Sequence, residues 1–355
     1  MILHNKYDKQ TLRKKLEAEP FTRTTLSFYR YVNIANPVAY RDDLYQRCED
    51  LGILGRIYVA HEGINSQISI PDPHFEKFKA LLEADHHLSG VPLKIAVEDN
   101  GKSFIKLIVR VRNKIVADGL KDDSFDVNNV GNHLNAKEFN EALEQPGTIV
   151  IDMRNHYESE VGRFEGALCP DADTFREAMM QGMDMVKDKK DDKILLYCTG
   201  GIRCEKASAW FKHHGFNDVN QLYGGIIEYA REIRQEGEAS KFIGKNFVFD
   251  DRMGERITED IISVCHQCGA TCDTHVNCAN DDCHLLFIQC PKCAEQYEGC
   301  CSPECIAIFQ LPIDEQRKIR KGKTKVDSLS VYKSRLRPNL RNVIARNQGL
   351  SIDRA

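Results

Sequence analysis

No stretch of this 355-residue sequence approaches the ~18 consecutive apolar residues of a membrane-spanning helix. The start, Met1 to Tyr7, lacks the basic-then-apolar design of a secretory signal, which predicts a cytoplasmic protein with no membrane partner. There is no P-loop, no Gly-x-Gly-x-x-Gly opening a helix and no Cys-x-x-Cys-His, so flavin, NAD and haem have no recognisable seat. No internal repeat is present. Acidic residues are scarce at one end only. From Arg317 onward, twelve Lys/Arg face just Asp327 and Asp353, while the preceding 316 residues hold 37 basic and 51 acidic groups, a net of −14. A basic tail on an acidic body is an electrostatic handle for a polyanion such as RNA, although solvated tails look the same.

At 42% hydrophobic content, this length can bury two or three separate cores. Fourteen cysteines would suggest disulfides in a secreted protein; in a reducing compartment they point to metal binding or thiol chemistry. Ten of them lie between Cys265 and Cys305, leaving Cys48, Cys169, Cys198 and Cys204 scattered upstream. Two different jobs are implied.

Periodicity predicts an α/β multidomain chain. Leu26–Tyr31, Arg56–Ala60, Ser66–Ile70, Leu93–Val97 and Ile105–Val111 read as strands, with helices over Val38–Leu51 and from near Pro73. That order approximates βαββαβ plus a strand, a ferredoxin-like α+β unit over residues 1–117. A polar linker spans 118–132. Over 133–240, helices after Asn135, over Thr174–Lys187 and over Glu205–His214 alternate with strands Thr148–Ile151, Ile194–Tyr197 and Val219–Leu222, the pattern of a parallel α/β sheet. Residues 241–311 form a Cys-rich segment, and 312–355 a basic tail expected to be mobile or to order on a partner.

Cys198-Thr199-Gly200-Gly201-Ile202-Arg203 falls where an apolar strand ends and a helix begins, the edge at which parallel sheets place ligands. Two glycines let backbone amides turn toward the sulfur, and the helix start and Arg203 add positive charge. All three favour thiolate over thiol and would cradle a persulfide equally well. A buried packing cysteine is the bland alternative. Cysteine phosphatases place five residues between Cys and Arg where this loop has four, so the cradle suits sulfur better than phosphate. Cys204 would either resolve an oxidised Cys198 or face the helix core.

Further motifs make a resemblance specific. IDMRNHYE (151–158), VGRFEGA (161–167), CTGGIRCEKASAW (198–210) and YGGIIEYA (223–230) resemble a rhodanese domain. With AHEGINSQISIP (60–71), NGKSF (100–104), VRVRN (109–113), FIGKNFVFDDRMGERI (242–257) and CHLLFIQCPKCA (283–294), residues 20–305 resemble the bacterial rhodanese-family tRNA uridine hydroxylases. The resemblance implies a rhodanese-like domain whose Cys198 carries sulfur and whose Asp152 and Arg154 order the active-site loop. It also implies tRNA as partner, with oxygen-dependent conversion of the wobble uridine to 5-hydroxyuridine. Arg163 departs from the histidine that many rhodaneses carry. In such a reaction, either the Cys198 thiolate or persulfide adds to carbon 6 of uracil, making carbon 5 electron-rich toward an oxygen species, and the oxygenated adduct then expels sulfur, or a persulfide reacts with oxygen and delivers the atom.

Cys265-x-x-Cys268 and Cys290-x-x-Cys293, separated by 21 residues, match a four-thiolate zinc site. Cys272, Cys278, Cys283, Cys300, Cys301 and Cys305, with His266, His275 and His284 nearby, suffice for a second site whose ligands the spacing does not single out. Reduced structural thiols and an iron–sulfur cluster are the alternatives. Tyr29, Arg30, Tyr31 and Arg56 mix aromatic and basic residues as RNA-reading sheets do, and core or surface packing explains them too. His61 and Glu62 beside Gly63 suit a turn or a base contact. Arg317, Lys318, Arg320 and Lys321 are candidate RNA contacts. Three classes therefore compete: an RNA-modifying oxidoreductase, a sulfurtransferase acting through a Cys198 persulfide, and a noncatalytic rhodanese-like module on a zinc scaffold. An intact cysteine loop speaks against the last, and the tail and flanking domains favour RNA.

Overall fold

A computed structural model describes residues 7–120, 125–321 and Leu340. After helix α1 (Lys9–Glu17), the first unit runs β1 (Arg23–Tyr31), α2 (Pro37–Asp50), β2 (Leu54–Ala60), β3 (Gly63–Pro71), α3 (Phe75–Ala84), β4 (Lys94–Ile95) and β5 (Leu107–Val111). Its sheet order is β4-β1-β3-β2-β5, antiparallel except for β2 beside β5. Side chains alternate across β1: Leu26 and Phe28 enter a core with Ile57, Ile64 and Ile68, closed by Leu44 and Cys48 of α2 and Phe78 and Leu82 of α3. The opposite face carries Ser27, Tyr29 and Tyr31 and turns toward the rest of the chain. Strand β4 is shorter than the expected Leu93–Val97 because the Val97 amide donates to Glu255 Oε1 at 3.0 Å instead of to a neighbouring strand.

The second unit continues β6 (Asn132–Leu134), α4 (Ala136–Glu144), β7 (Ile149–Asp152), α5 (His156–Val161), β8 (Gly162–Phe164), α6 (Phe175–Met185), β9 (Lys193–Tyr197), α7 (Ile202–His213), β10 (Asp218–Leu222) and α8 (Gly225–Glu236). A parallel sheet of order β6-β10-β9-β7 is packed on both faces, by α6 and α7 on one side and α4 and α8 on the other. Capping boxes at Asn135, Asn155 and Thr174, each with Glu at the third helical position, start three of these helices. Strand β6, absent from the sequence reading, begins inside the expected linker. The linker's first residue is no loose connector either: Asp118 is 1% exposed and accepts from Lys114 at 2.8 Å and Lys206 at 2.5 Å.

Beyond it, β11 (Phe242–Asn246) joins β8 and β12 (Glu255–Arg256) in a small sheet, followed by the hairpin β13 (His275–Asn277) and β14 (Leu286–Ile288). Helices α9 (Pro291–Gln296), α10 (Pro303–Phe309) and α11 (Ile313–Lys321) close the described chain. Helix α11 occupies the start of the basic tail expected from residue 312; the Pro312 carbonyl accepts from the Glu315 and Gln316 amides, and the helix carries acidic residues in its first turn and basic ones in its last. Within it Arg317 pairs with Asp314 and Arg320 with Asp281, both on the surface. The remaining basic residues, from Lys323 on, lie outside the described residues. No helix among the described residues is long and apolar enough to cross a membrane.

Candidate active site and thiol clusters

Strand β9 is an apolar run, Ile194 to Tyr197, buried on both sides, and it delivers Cys198 to the carboxyl edge of the sheet. Gly201, at φ +93°, turns the chain into α7, a conformation an L-residue rarely adopts. Gly225 is required for a different reason: a Cβ there would stand 2.5 Å from the Cys198 carbonyl oxygen. This close approach lets the Ile226 and Ile227 amides donate to the carbonyls of Cys198 and Thr199 at 3.0 and 3.2 Å. The loop is thus clamped from α8.

Cys198 Sγ accepts the Gly201 N–H at 3.2 Å. Burial acts most strongly and pushes its pKa up. The Cys204 thiol, the Arg203 guanidinium and the amides of Cys204 and Arg203 outweigh it and bring Cys198 down to about 6. Cys204 shifts the other way, raised by burial and by the anion beside it. It touches Cys198 and its side chain, on α7, lies in the core, as the helix-core reading expects. Arg203 is not a free cation. It grips Glu158 with two bonds of 2.6 and 2.9 Å and reaches Thr199 Oγ1 at 3.2 Å. Beneath the loop, Arg154 binds Asp152 at 2.7 Å and the Gly162 carbonyl at 2.6 Å, and Tyr197 Oη donates to Asp152 at 2.7 Å. Arg163 lies on β8 and donates to the Ser159 carbonyl at 3.3 Å.

The sequence reading expects a sulfur open at the sheet's mouth. The structure covers it: Cys198 has no exposed surface and its sulfur accepts the Gly201 amide, whereas Thr199 and Gly200, the next residues of the loop, face a cavity. This cavity is about 340 Å³, within the range of small-molecule sites, and its floor includes Thr199, Gly200, Ile202 and Arg203. Its ceiling is the polar face of the first sheet, with Ser27, Tyr29, Arg56, Tyr58, Asn65, Gln67 and Lys94. Tyr29 Oη donates to Glu205 at 2.9 Å and Tyr31 Oη to the Ile202 carbonyl at 3.4 Å, so both aromatics dock on α7 instead of facing solvent. Arg30, on the other face, donates to the Ser89 carbonyl, and Arg56 to that of Phe249. His61 contacts the Ile34 carbonyl in the turn. Glu62 accepts from Lys206 at 2.7 Å and from the Ile115 amide at 2.6 Å, making it a pin between units and not a base contact.

Sulfur atoms of Cys265, Cys268, Cys290 and Cys293 lie within 4.8 Å of one another, as do those of Cys278, Cys283, Cys301 and Cys305. The pairs alternate along the chain, so the two groups interleave. Sulfur–sulfur distances of 3.6 Å (Cys268–Cys290 and Cys301–Cys305) and 3.7 Å (Cys283–Cys301) are recorded. Metal–sulfur bonds of about 2.3 Å place tetrahedral neighbours about 3.8 Å apart, so each group fits one ion. Cys272 and Cys300 stand outside both groups and are buried. His266 turns away to Glu160 of α5 at 2.8 Å.

Relatives are numerous. One from Leptospira interrogans, named tRNA uridine(34) hydroxylase, is 56% identical over 338 residues, covering 95% of this chain and 92% of its own. Bearing the same name, a protein from Escherichia fergusonii is 55% identical, covering 91% and 92%, and one from Escherichia coli is 58% identical, covering 86% and 87%. The chain belongs to the tRNA uridine(34) hydroxylase family. Three family models match within it: a UPF0176 acylphosphatase-like domain over residues 23–115, a rhodanese-like domain over 135–232 and a rhodanese C-terminal segment over 243–306. Sequence reasoning missed two residues that the fold brings to the candidate site. Glu158 is visible in IDMRNHYE only as a capping residue, and Lys94 has no local signal, because its position depends on a strand pairing.

Proposed function

We propose that this protein hydroxylates carbon 5 of the wobble uridine, position 34, of tRNA, with Cys198 as the reactive group and molecular oxygen as co-substrate, one oxygen atom entering the base and the other leaving as water with two electrons and two protons from an external thiol-class reductant. The observation that carries the reading is a thiol brought down to about 6 beside a cavity roofed by a polar sheet face. Family membership supports hydroxylation over simple sulfur transfer, which requires no such roof. Asp152 and Arg154 set the loop through Tyr197, and Glu158 fixes Arg203 so that its charge reaches the sulfur from one side. The base cannot meet a fully enclosed Sγ. Either the loop after Cys198 swings aside, or a persulfide carries reactivity outward by about 2 Å, one sulfur–sulfur bond. Both routes begin at Cys198.

The two thiol groups hold zinc in this reading, four thiolates each with no open position, which is the structural kind of site. They brace the segment that contacts α5 through His266 and Glu160. The basic residues from Arg317 onward, including Lys318, Arg320 and Lys321, add affinity for the tRNA backbone, and a tRNA substrate places the work in the cytoplasm. Incubation of purified protein with U34-containing tRNA under ¹⁸O₂ tests the chemistry. Labelled 5-hydroxyuridine supports oxygen as the donor, and unlabelled product under ¹⁸O₂, with the label appearing instead from H₂¹⁸O, overturns it.

A further inference from the structure

Strand β4 places Lys94 directly opposite Ser27 of β1, so its side chain leaves the same sheet face as Ser27 and Tyr29. The methylene stem lies against both glycine loops around Cys198: a Cβ on Gly200 would be 4.0 Å from Lys94 Cδ, and one on Gly224 3.7 Å from Cε. The ammonium ends 4.1 Å from the centroid of the Tyr29 ring. Lys94 is 6% exposed, lines the cavity and has no hydrogen bond or ion pair among the described residues. Tyr29 is held in place by Glu205, and Arg203, Arg56 and Arg252 have carboxylate or carbonyl partners. Lys94 alone of these cations keeps three donors unspent.

An ammonium donates and cannot accept. At the ring position where pyrimidines differ, uracil offers a carbonyl acceptor and cytosine an amino donor. A buried lysine therefore admits the first and leaves two donors facing each other with the second, and the unpaired group is what makes such discrimination steep. We infer that Lys94 is the specificity-determining residue that receives the carbonyl oxygen at carbon 4 of the target pyrimidine, selecting uracil over cytosine in the cavity above Cys198. The inference rests on the proposed action on uridine 34. Burial, acting against the charge, brings the Lys94 pKa down to about 8, with Cys198, Glu205 and Glu228 opposing it, so the ammonium form still prevails at neutral pH.

The test uses the full chain and two otherwise identical tRNA transcripts carrying U34 or C34, with binding and 5-hydroxyuridine formation measured together. Wild type is expected to bind U34 over C34 by about tenfold or more, the ratio that one hydrogen bond to a charged group supports. Lys94→Met should lose that preference and most hydroxylation while keeping its C34 affinity, which also certifies a folded protein. Lys94→Arg should restore the preference. Lys94→Gln, whose amide accepts as well as donates, should bind both transcripts alike. A Lys94→Met or Lys94→Gln protein that still prefers U34 at the wild-type ratio overturns the assignment. A wild type that makes no 5-hydroxyuridine overturns the function instead.

Discussion

At Cys198 and Lys94 two opposite charges meet, each titrating within reach of neutrality. The thiolate forms as pH rises through about 6, and the ammonium is lost as pH rises through about 8. Tyr29 from β1, Cys198 and Glu205 from the loop and α7, and Glu228 from α8 are the groups facing that ammonium. Single-turnover hydroxylation should therefore follow a bell-shaped profile with limbs near 6 and 8. Lys94→Arg should keep the acid limb and remove the alkaline one, which rate measurements across pH would check. Glu158 supplies a second test. It is buried against Arg203, so Glu158→Gln leaves a buried cation without its counter-charge and should cost about 3–5 kcal/mol of stability, read by denaturant unfolding. The sequence made the nucleophile legible because loop, glycines and arginine are contiguous. Glu158 and Lys94 were not legible as site residues, being 40 and 104 positions from Cys198 and brought there only by tertiary packing. The burial of the sulfur was equally hidden, since loop conformation leaves no mark in composition.

Among the elements, strands with unbroken apolar runs or strict alternation were readable, as β1, β3 and β9 show. Strand β6 was not: Asn-His-Leu is polar, and it becomes a strand because β10 offers an open parallel edge. The polar face of the first sheet could be read as an RNA platform or as packing, and it is the roof of the cavity and a docking face for α7. In the Cys-rich segment, spacing revealed the first thiolate group, whereas the second needed coordinates to separate Cys278, Cys283, Cys301 and Cys305 from Cys272 and Cys300. Short helices and two-to-three-residue strands cannot sustain that segment alone, so metal binding and folding should be coupled. Wild-type protein should contain two zinc ions per chain, Cys290→Ser one, and Cys272→Ser two, as measured by metal analysis. Chelation should expose residues beyond 260 to limited proteolysis while the parallel sheet persists.

Across the whole molecule, the cavity exists only where the first and second units meet, and Lys206 fastens that junction. Its ammonium is almost fully buried between Glu62 of the first unit and Asp118 of the connector. Lys206→Met should loosen the roof and lower hydroxylation, with each unit still folded. The basic tail acts at a distance from this chemistry. Truncation after residue 316 removes all twelve of its Lys/Arg and should weaken tRNA binding and flatten its salt dependence, as expected when phosphate contacts are lost. The central claim, that Cys198 of this chain drives hydroxylation of uridine 34, is tested most directly by nucleoside mass spectrometry of tRNA from cells lacking the protein and supplied with either wild type or Cys198→Ser. Wild type should restore 5-hydroxyuridine and its derivatives, and Cys198→Ser should leave them absent. Full restoration by Cys198→Ser would contradict the account.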